Sequence, residues 1–534
     1  MKKRNNILNR NIINIDSIFT FENLNTNMTS SNNEDFYSYK ARKEAFVSNL
    51  KGTTRLEIVI IGILFPAVFY LYRTLARCGF FPRKNLYHAF LKEFALLIVI
   101  PLFCITVLLD YTIYVIGICI ALSILIDFCC KPQLKDDNYE KDRIASFKTS
   151  RLPFISIFRC GVMIYTCIAI LAVDFHAFPR RLAKTETFGT SLMDLGVGMF
   201  IFSGGIVSRV ARDSAKVGSS NNKKIATLSI PNEIASTIKS VVPMLILGVG
   251  RFATTKGVEY QEHTSEYGVH WNFFFTLAFL ALFTGILRPL LNLSSQICQN
   301  QPIVTSVILF CIGIIVTLIH QYFLSFYHFQ EIVLGINRDN IFLQNKEGVC
   351  SLIGFFAIYF IAASIGSIFM RFITSTKKHD QLLKTWKLRT VIILIICVIF
   401  WALSYLGYNG FWPIELEHSK PSRRMANTGY VVWIVAHASG MLIGLLLIDL
   451  LQPPIRNRID SVIINAVNKY QLQVFLLANI CTGIVNVSIK TLDIENSVAL
   501  VILTCYMITV TFLAYLYTLK TGKIGNFVGG NRSD

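Results

Sequence analysis

From Ala172 to Glu186 the sequence reads Ala-Val-Asp-Phe-His-Ala-Phe-Pro-Arg-Arg-Leu-Ala-Lys-Thr-Glu. One carboxylate (Asp174), two adjacent guanidiniums (Arg180, Arg181) and an ammonium (Lys184) thus fall within about three helical turns of each other. They follow a long apolar run and precede another, so they sit at the mouth of a membrane span. Ionisable groups at a membrane rim are costly, which makes them candidates for proton transfer or anion binding. The competing reading is an interfacial salt-bridge cluster that pins one helix end.

A second polar stretch, Gly257 to Asn272, contains Glu262, His263, Tyr267, His270, Trp271 and Asn272. Its aromatic rings could stack on a sugar while its carboxylates accept hydrogen bonds from hydroxyls. An interfacial aromatic belt would have a similar composition. His263 and His270 lack metal-ligand spacing and no HExxH pattern occurs, so no metal is expected. A third stretch, Ser422-Arg423-Arg424-Met425-Ala426-Asn427, offers paired guanidinium forks suited to phosphate oxygens. Head-group anchoring is the plainer reading of those arginines. Asn345-Lys346-Glu347-Gly348 forms a fourth cluster, in which Gly348 is expected to ease a tight turn into a helix. His437, Asn479 and Asn486 lie inside apolar runs, where such residues usually bridge helices.

The elements that must position these groups are membrane helices. Of 534 residues, 53% are hydrophobic and 16% charged, with a mean hydropathy of +0.52. A soluble chain would carry roughly a quarter charged residues. Apolar runs of about 20 residues, the length that crosses a bilayer, recur at about thirteen places between residues 56 and 518. The fold class is therefore all-α: a polytopic integral membrane protein with about thirteen transmembrane helices. The net charge of +19 comes largely from basic residues in short loops, which encodes topology rather than nucleic-acid binding. Loops after odd-numbered spans carry the larger share of Lys and Arg. The positive-inside rule then places them and the C-terminus in the cytosol, with the N-terminus and nearly every polar cluster lumenal. Residues 1–40, rich in Asn, are expected to be a disordered extension, and 41–534 a single multi-span unit. The thirteen cysteines are scattered, mostly within apolar runs, and read as small buried hydrophobes.

Several of these stretches together resemble one family. Asp174-Phe175, Phe178-Pro179-Arg180-Arg181, Lys184-Thr185-Glu186 and Met193-Asp194-Leu195-Gly196-Val197-Gly198 are similar to motifs of the inositol acyltransferases of GPI-anchor biosynthesis. So are Glu44 to Leu50 with Gly52-Thr53-Thr54, Tyr260 to Thr276, Asn345 to Gly348, Ser422 to Asn427, and Asn479 with Thr482-Gly483 and Asn486. The likeness runs in order from about residue 41 to the end. The Asn-rich extension and the segment around Tyr327 to Asn340 depart from it.

The resemblance implies transfer of a long-chain acyl group, usually palmitoyl, from acyl-CoA to the 2-hydroxyl of inositol in glucosaminyl-phosphatidylinositol, in the endoplasmic reticulum membrane. Attack of an alcohol on a thioester needs a base for the hydroxyl proton and a donor for the developing oxyanion. Asp174 can supply the first and Lys184 the second, and the resemblance points to the same pair. Arg180, Arg181, Arg423 and Arg424 are candidates for phosphate groups. Glu262, His263, Tyr267, His270, Trp271, Asn272 and Asn427 are candidates for the sugar-lipid. Acyl-CoA serves as co-substrate; no cofactor, metal, nucleic acid or obligate protein partner is expected. The alternative class is a secondary transporter, which would need ionisable residues near the midplane, with Arg159, Asp194 and Lys239 as possible members.

Overall fold

The computed structural model describes residue 39 and residues 41–81, 85–129, 152–216, 230–257, 264–297, 302–371, 379–410, 420–452 and 461–521. Most of the extension 1–40 therefore lies outside the described residues. Before Leu50, residues 41–47 form a helix of their own unit.

From Leu50 onward the described residues are helical and strand-free. Twelve helices have the length and apolarity to cross a membrane: α1 (Arg55–Arg77), α2 (Tyr87–Cys104), α3 (Leu109–Cys129), α4 (Pro153–Ala172), α6 (Pro231–Ala253), α7 (Phe273–Leu291), α8 (Ile303–Phe326), α9 (Lys346–Met370), α10 (Trp386–Gly407), α11 (Thr428–Leu451), α12 (Gln471–Ser488) and α13 (Asn496–Lys520). A thirteenth, α5, is a pair, Leu192–Gly205 and Arg209–Ala215, bent by 41°. Counting the bent pair as one span gives the thirteen expected.

Burial separates the helices into a centre and a rim. In α1, α4, α9 and α11 between 67% and 78% of the residues in the most apolar window are buried, against 22% in α3, α6 and α12. Rim helices turn large apolar side chains outward, such as Ile113 and Leu125 on α3 and Ile246 on α6. In water such a belt would be an aggregation surface; in a bilayer it faces lipid.

Alternation along the chain brings the first ends of the odd-numbered helices to one face. Polar caps mark four of these starts. Thr54 accepts from Glu57 N at 3.3 Å, Ser191 from Asp194 N at 3.0 Å, Asn272 from Phe274 N at 3.0 Å, and Asn427 from Tyr430 N at 3.1 Å. Each satisfies a backbone donor that the first helical turn leaves without a partner. The loops of this face form a cap. Thr53 N donates to Thr190 O at 2.7 Å, Glu186 N to Leu50 O at 3.0 Å and Gly189 N to Pro421 O at 2.9 Å. Gly52 (φ +80°) and Gly189 (φ +141°) allow this crossing, because a side chain at either would meet the backbone of the facing strand of loop.

Gly348 differs from its expectation. It lies inside the helix that begins at Lys346, not in a turn, and a Cβ there would collide with the indole of Trp271. Its smallness serves helix-to-loop packing. His437 and Asn479 do bridge helices as expected: His437 Nε2 lies 3.1 Å from Ile58 O on α1, and Asn479 Oδ1 accepts from Arg251 Nη1 on α6 at 3.3 Å.

Candidate active site

Asp174 stands just past the last turn of α4, with only 6% of its surface exposed. Its Oδ2 accepts from Asn486 Nδ2 on α12 at 2.8 Å, and Asn486 also donates to Thr482 O at 3.1 Å. The amide nitrogen thus has two acceptors, one in its own helix and one in the carboxylate. Arg180 folds back over the same turn, donating through Nη2 to Phe175 O at 3.1 Å and to Phe178 O at 2.9 Å. Burial lowers its pKa to about 10, with the negative charge of Asp174 opposing that shift, so it stays cationic at neutral pH.

Lys184 does not pair with Asp174. Its Nζ donates to both carboxylate oxygens of Glu266, each at 2.7 Å, and the two side chains are 31% and 21% exposed. Glu266 belongs to a single turn of helix, Thr264–Tyr267. The negative charge of Glu266 also acts on Arg423, whose guanidinium lies 5.8 Å from the centre of the Tyr267 ring. Arg423 Nε donates to Asp194 Oδ1 at 2.8 Å in a fully buried ion pair. Asp194 Oδ2 then accepts from Thr185 N at 3.1 Å, Thr185 Oγ1 at 2.8 Å and Ser191 Oγ at 2.8 Å. The path Lys184–Glu266–Arg423–Asp194–Thr185 closes on the residue next to Lys184. A lysine has four flexible methylenes; here both its backbone and its ammonium are held.

Charges in this network reinforce one another. Burial alone would work against the Arg423 cation, but the carboxylates of Glu266 and Asp194 hold its pKa above the usual arginine value. Burial, with a smaller contribution from Glu266, pushes the Tyr267 phenol up to about 12 against the pull of Arg423. Tyr267 is therefore a neutral hydrogen-bonding group at neutral pH.

The remaining expected site residues divide by what already engages them. Arg424 Nη2 donates to Glu347 Oε1 at 3.1 Å, and Arg338 Nη2 donates to the same oxygen at 2.6 Å. Arg423 and Arg424 are 4% and 7% exposed and paired with acids, so they knit the cap together rather than anchor to lipid head groups. Arg181 spans the rim, donating to Glu57 Oε1 at 3.1 Å and Asp110 Oδ1 at 2.6 Å with 43% of its side chain exposed. Asn272 and Asn427 are helix caps, and Asn427 Nδ2 also donates to Lys420 O at 2.8 Å. The Trp271 indole stacks on Phe279 at 5.0 Å and donates to Thr276 Oγ1 at 2.9 Å. His270 gives its backbone N–H to Asn345 Oδ1 at 2.9 Å, while its buried Nδ1 has no partner among the described residues. Glu262 and His263 lie outside the described residues. Among the described residues no group of three His, Cys, Asp or Glu side chains could hold a metal ion.

Sequence reasoning missed Glu266 and Glu347 as counter-ions and gave Asp194 no part in holding Lys184. For Asp194 a signal was available: Ser191-x-x-Asp194 ahead of an apolar run has the spacing of a capping box.

A comparison with family models decides the kinship, because residues 39–517 match the GWT1 model. This chain belongs to the GWT1 family. Curated relatives agree over nearly their whole length. The GPI-anchored wall transfer protein 1 of Schizosaccharomyces pombe is 35% identical over 505 residues, covering 90% of this chain and 97% of its own. That of Aspergillus oryzae is 34% identical over 510 residues, covering 89% and 97%. The phosphatidylinositol-glycan biosynthesis class W protein of Dictyostelium discoideum is 32% identical over 518 residues, covering 91% and 99%. The GWT1 match takes in α1 to α12, most of α13 and every loop of the cap, so the network around Lys184 lies wholly within the family region.

Proposed function

We propose that this GWT1-family chain acts in GPI-anchor biosynthesis as an inositol acyltransferase, with the cap facing the lumen of the endoplasmic reticulum. The reaction moves a long-chain acyl group, palmitoyl in the simplest case, from acyl-CoA to the 2-hydroxyl of inositol in glucosaminyl-phosphatidylinositol. The names carried by the relatives support the pathway. The observation that carries the chemistry is the placement of Asp174: a nearly buried carboxylate at the mouth of α4, oriented by Asn486 from another helix.

In this reading Asp174 accepts the proton of the inositol hydroxyl as its oxygen attacks the thioester carbonyl carbon. The hydrogen bond from Asn486 to Oδ2 orients the carboxylate that takes the proton. Negative charge gathers on the carbonyl oxygen, and Lys184, held ready by Glu266, stabilises it. Because that ammonium is already positioned, little reorganisation accompanies charge development. The carbon–sulfur bond then breaks and the CoA thiolate leaves, taking up a proton. A thioester is activated enough that the reaction requires neither a metal nor a covalent enzyme intermediate. We assign His270, whose buried Nδ1 has no partner among the described residues, and Tyr267 to the hydroxyls of the sugar-lipid. Arg180 and the rim residue Arg181 are the cations we assign to substrate phosphate.

Microsomes carrying Asp174→Asn or Lys184→Ala at wild-type abundance, given glucosaminyl-phosphatidylinositol and radiolabelled palmitoyl-CoA, test the proposal. Both variants should lose acylation. Wild-type rates in both would refute the assigned roles, and absence of inositol acylation by the wild-type protein would refute the activity.

A further inference from the structure

On the face opposite the cap, Arg159 and Arg212 act on one another with no acid paired to either among the described residues, and Arg209 shares a helix face with Arg212. Arg159 lies on α4, six residues from its start and so about 9 Å into the span. Its Nη2 donates to Gln471 Oε1 at the start of α12, at 2.5 Å. Among the described residues its buried Nε has no partner, and it forms no ion pair. Among the described residues the charge that acts on it is another cation, Arg212, and that action is repulsive. Arg212 is exposed, on the short helix Arg209–Lys216 after the α5 bend, and among the described residues its side chain makes only a long bond to Ser208 O at 3.4 Å. Arg209, three residues earlier on the same face of that helix, reaches Ser236 Oγ at 3.3 Å.

The neighbouring acids do not relieve this. Asp213 is taken by Arg288, with Arg288 Nε 2.8 Å and Nη2 2.7 Å from Asp213 Oδ2. Glu233 on α6 forms no ion pair with any of the three among the described residues. A guanidinium mostly removed from water, with an orphaned N–H and a like charge for a neighbour, is unfavourable as it stands. Snorkelling alone would turn Arg159 toward water and leave its Nε solvated. An anion between Arg159 and Arg212 would satisfy the buried donor and cancel the repulsion together. The guanidinium fork favours a phosphate, and the site's depth at the membrane edge matches a lipid head group.

We infer that Arg159, Arg212 and Arg209 form a phosphate-binding site on the face opposite the cap, suited to the phosphate of an anionic phospholipid. The site lies at the far end of α4 from Asp174, so its ligand is not the acyl donor in its reactive position. It is a second lipid, held where α4, α12 and the α5 bend meet.

The test uses the full chain in neutral detergent, titrated separately with short-chain phosphatidic acid, phosphatidylinositol, phosphatidylcholine and inorganic phosphate. Binding is read by native mass spectrometry and thermal unfolding. The wild-type protein should bind one anionic phospholipid saturably, with affinity falling as salt rises. Arg159→Gln and the exposed Arg212→Gln should each weaken it at least tenfold. If Arg159→Gln proves unstable, Arg212→Gln still decides. Saturable binding of inorganic phosphate, lost in the same variants, would identify the free anion as the ligand. Equal binding of phosphatidylcholine, or unchanged affinity in Arg212→Gln, would overturn the site.

Discussion

Lys184 rests its ammonium on Glu266, eighty-two positions away in sequence, and not on Asp174 ten positions before it. Base and oxyanion donor are therefore held by separate parts of the fold, Asp174 by α12 and Lys184 by the Thr264–Tyr267 turn. Either can be disturbed while the other remains in place.

Asp174→Asn keeps the shape and removes the base. Acylation should fall by about 10²- to 10⁴-fold at unchanged protein abundance, the usual worth of general base catalysis. Asn486→Leu leaves the carboxylate present but unaimed, so its loss should be smaller. Comparing kcat for the two separates supplying the base from orienting it; equal losses would mean that Asn486 does more than orient.

Glu266→Gln removes the seat of Lys184 without altering side-chain volume. The expected outcome is a lower kcat with KM nearly unchanged, and Glu266→Asp should recover part of the rate. A KM effect alone would reassign Glu266 to substrate binding.

Asp194→Asn and Arg423→Gln each strand a buried partner. Each should destabilise the protein by about 3–5 kcal/mol, read as earlier thermal unfolding in detergent. The double variant should cost clearly less than the two losses added together. Strict additivity would show that the pair does not act as a unit.

Gly348→Ala drives a methyl group into the Trp271 indole and should cost about 1–3 kcal/mol, typical of overpacking. Trp271→Leu in the same chain should return part of that stability. If Gly348→Ala unfolds like wild type, the indole is not the constraint.

Much of the fold could be read along the chain, because a run of about twenty apolar residues has few other uses. The helix starts were legible too, since Thr54, Ser191, Asn272 and Asn427 are residue types that cap helices. Asp174 and Lys184 stood out as charges beside a span. What could not be read was the pairing. Arg423 and Arg424 looked like phosphate ligands because an isolated guanidinium gives no sign of which carboxylate awaits it, and Asp194 and Glu347 lie 229 and 77 positions away. Gly348 was misjudged for a related reason: a helix N-terminus and a close approach both favour glycine, and only the position of Trp271 distinguishes them.

The reach of the Asp194–Arg423 bond also sets an order of events during synthesis. At roughly 5–20 residues per second, the ribosome needs about 10–50 s after making Asp194 before Arg423 exists. Throughout that interval Thr185 and Ser191 can engage the aspartate, but its cationic partner is missing. Insertion of the early helices thus cannot by itself mature the centre, and a nascent chain released before α11 would leave the translocon with a buried, unneutralised acid for quality control to detect.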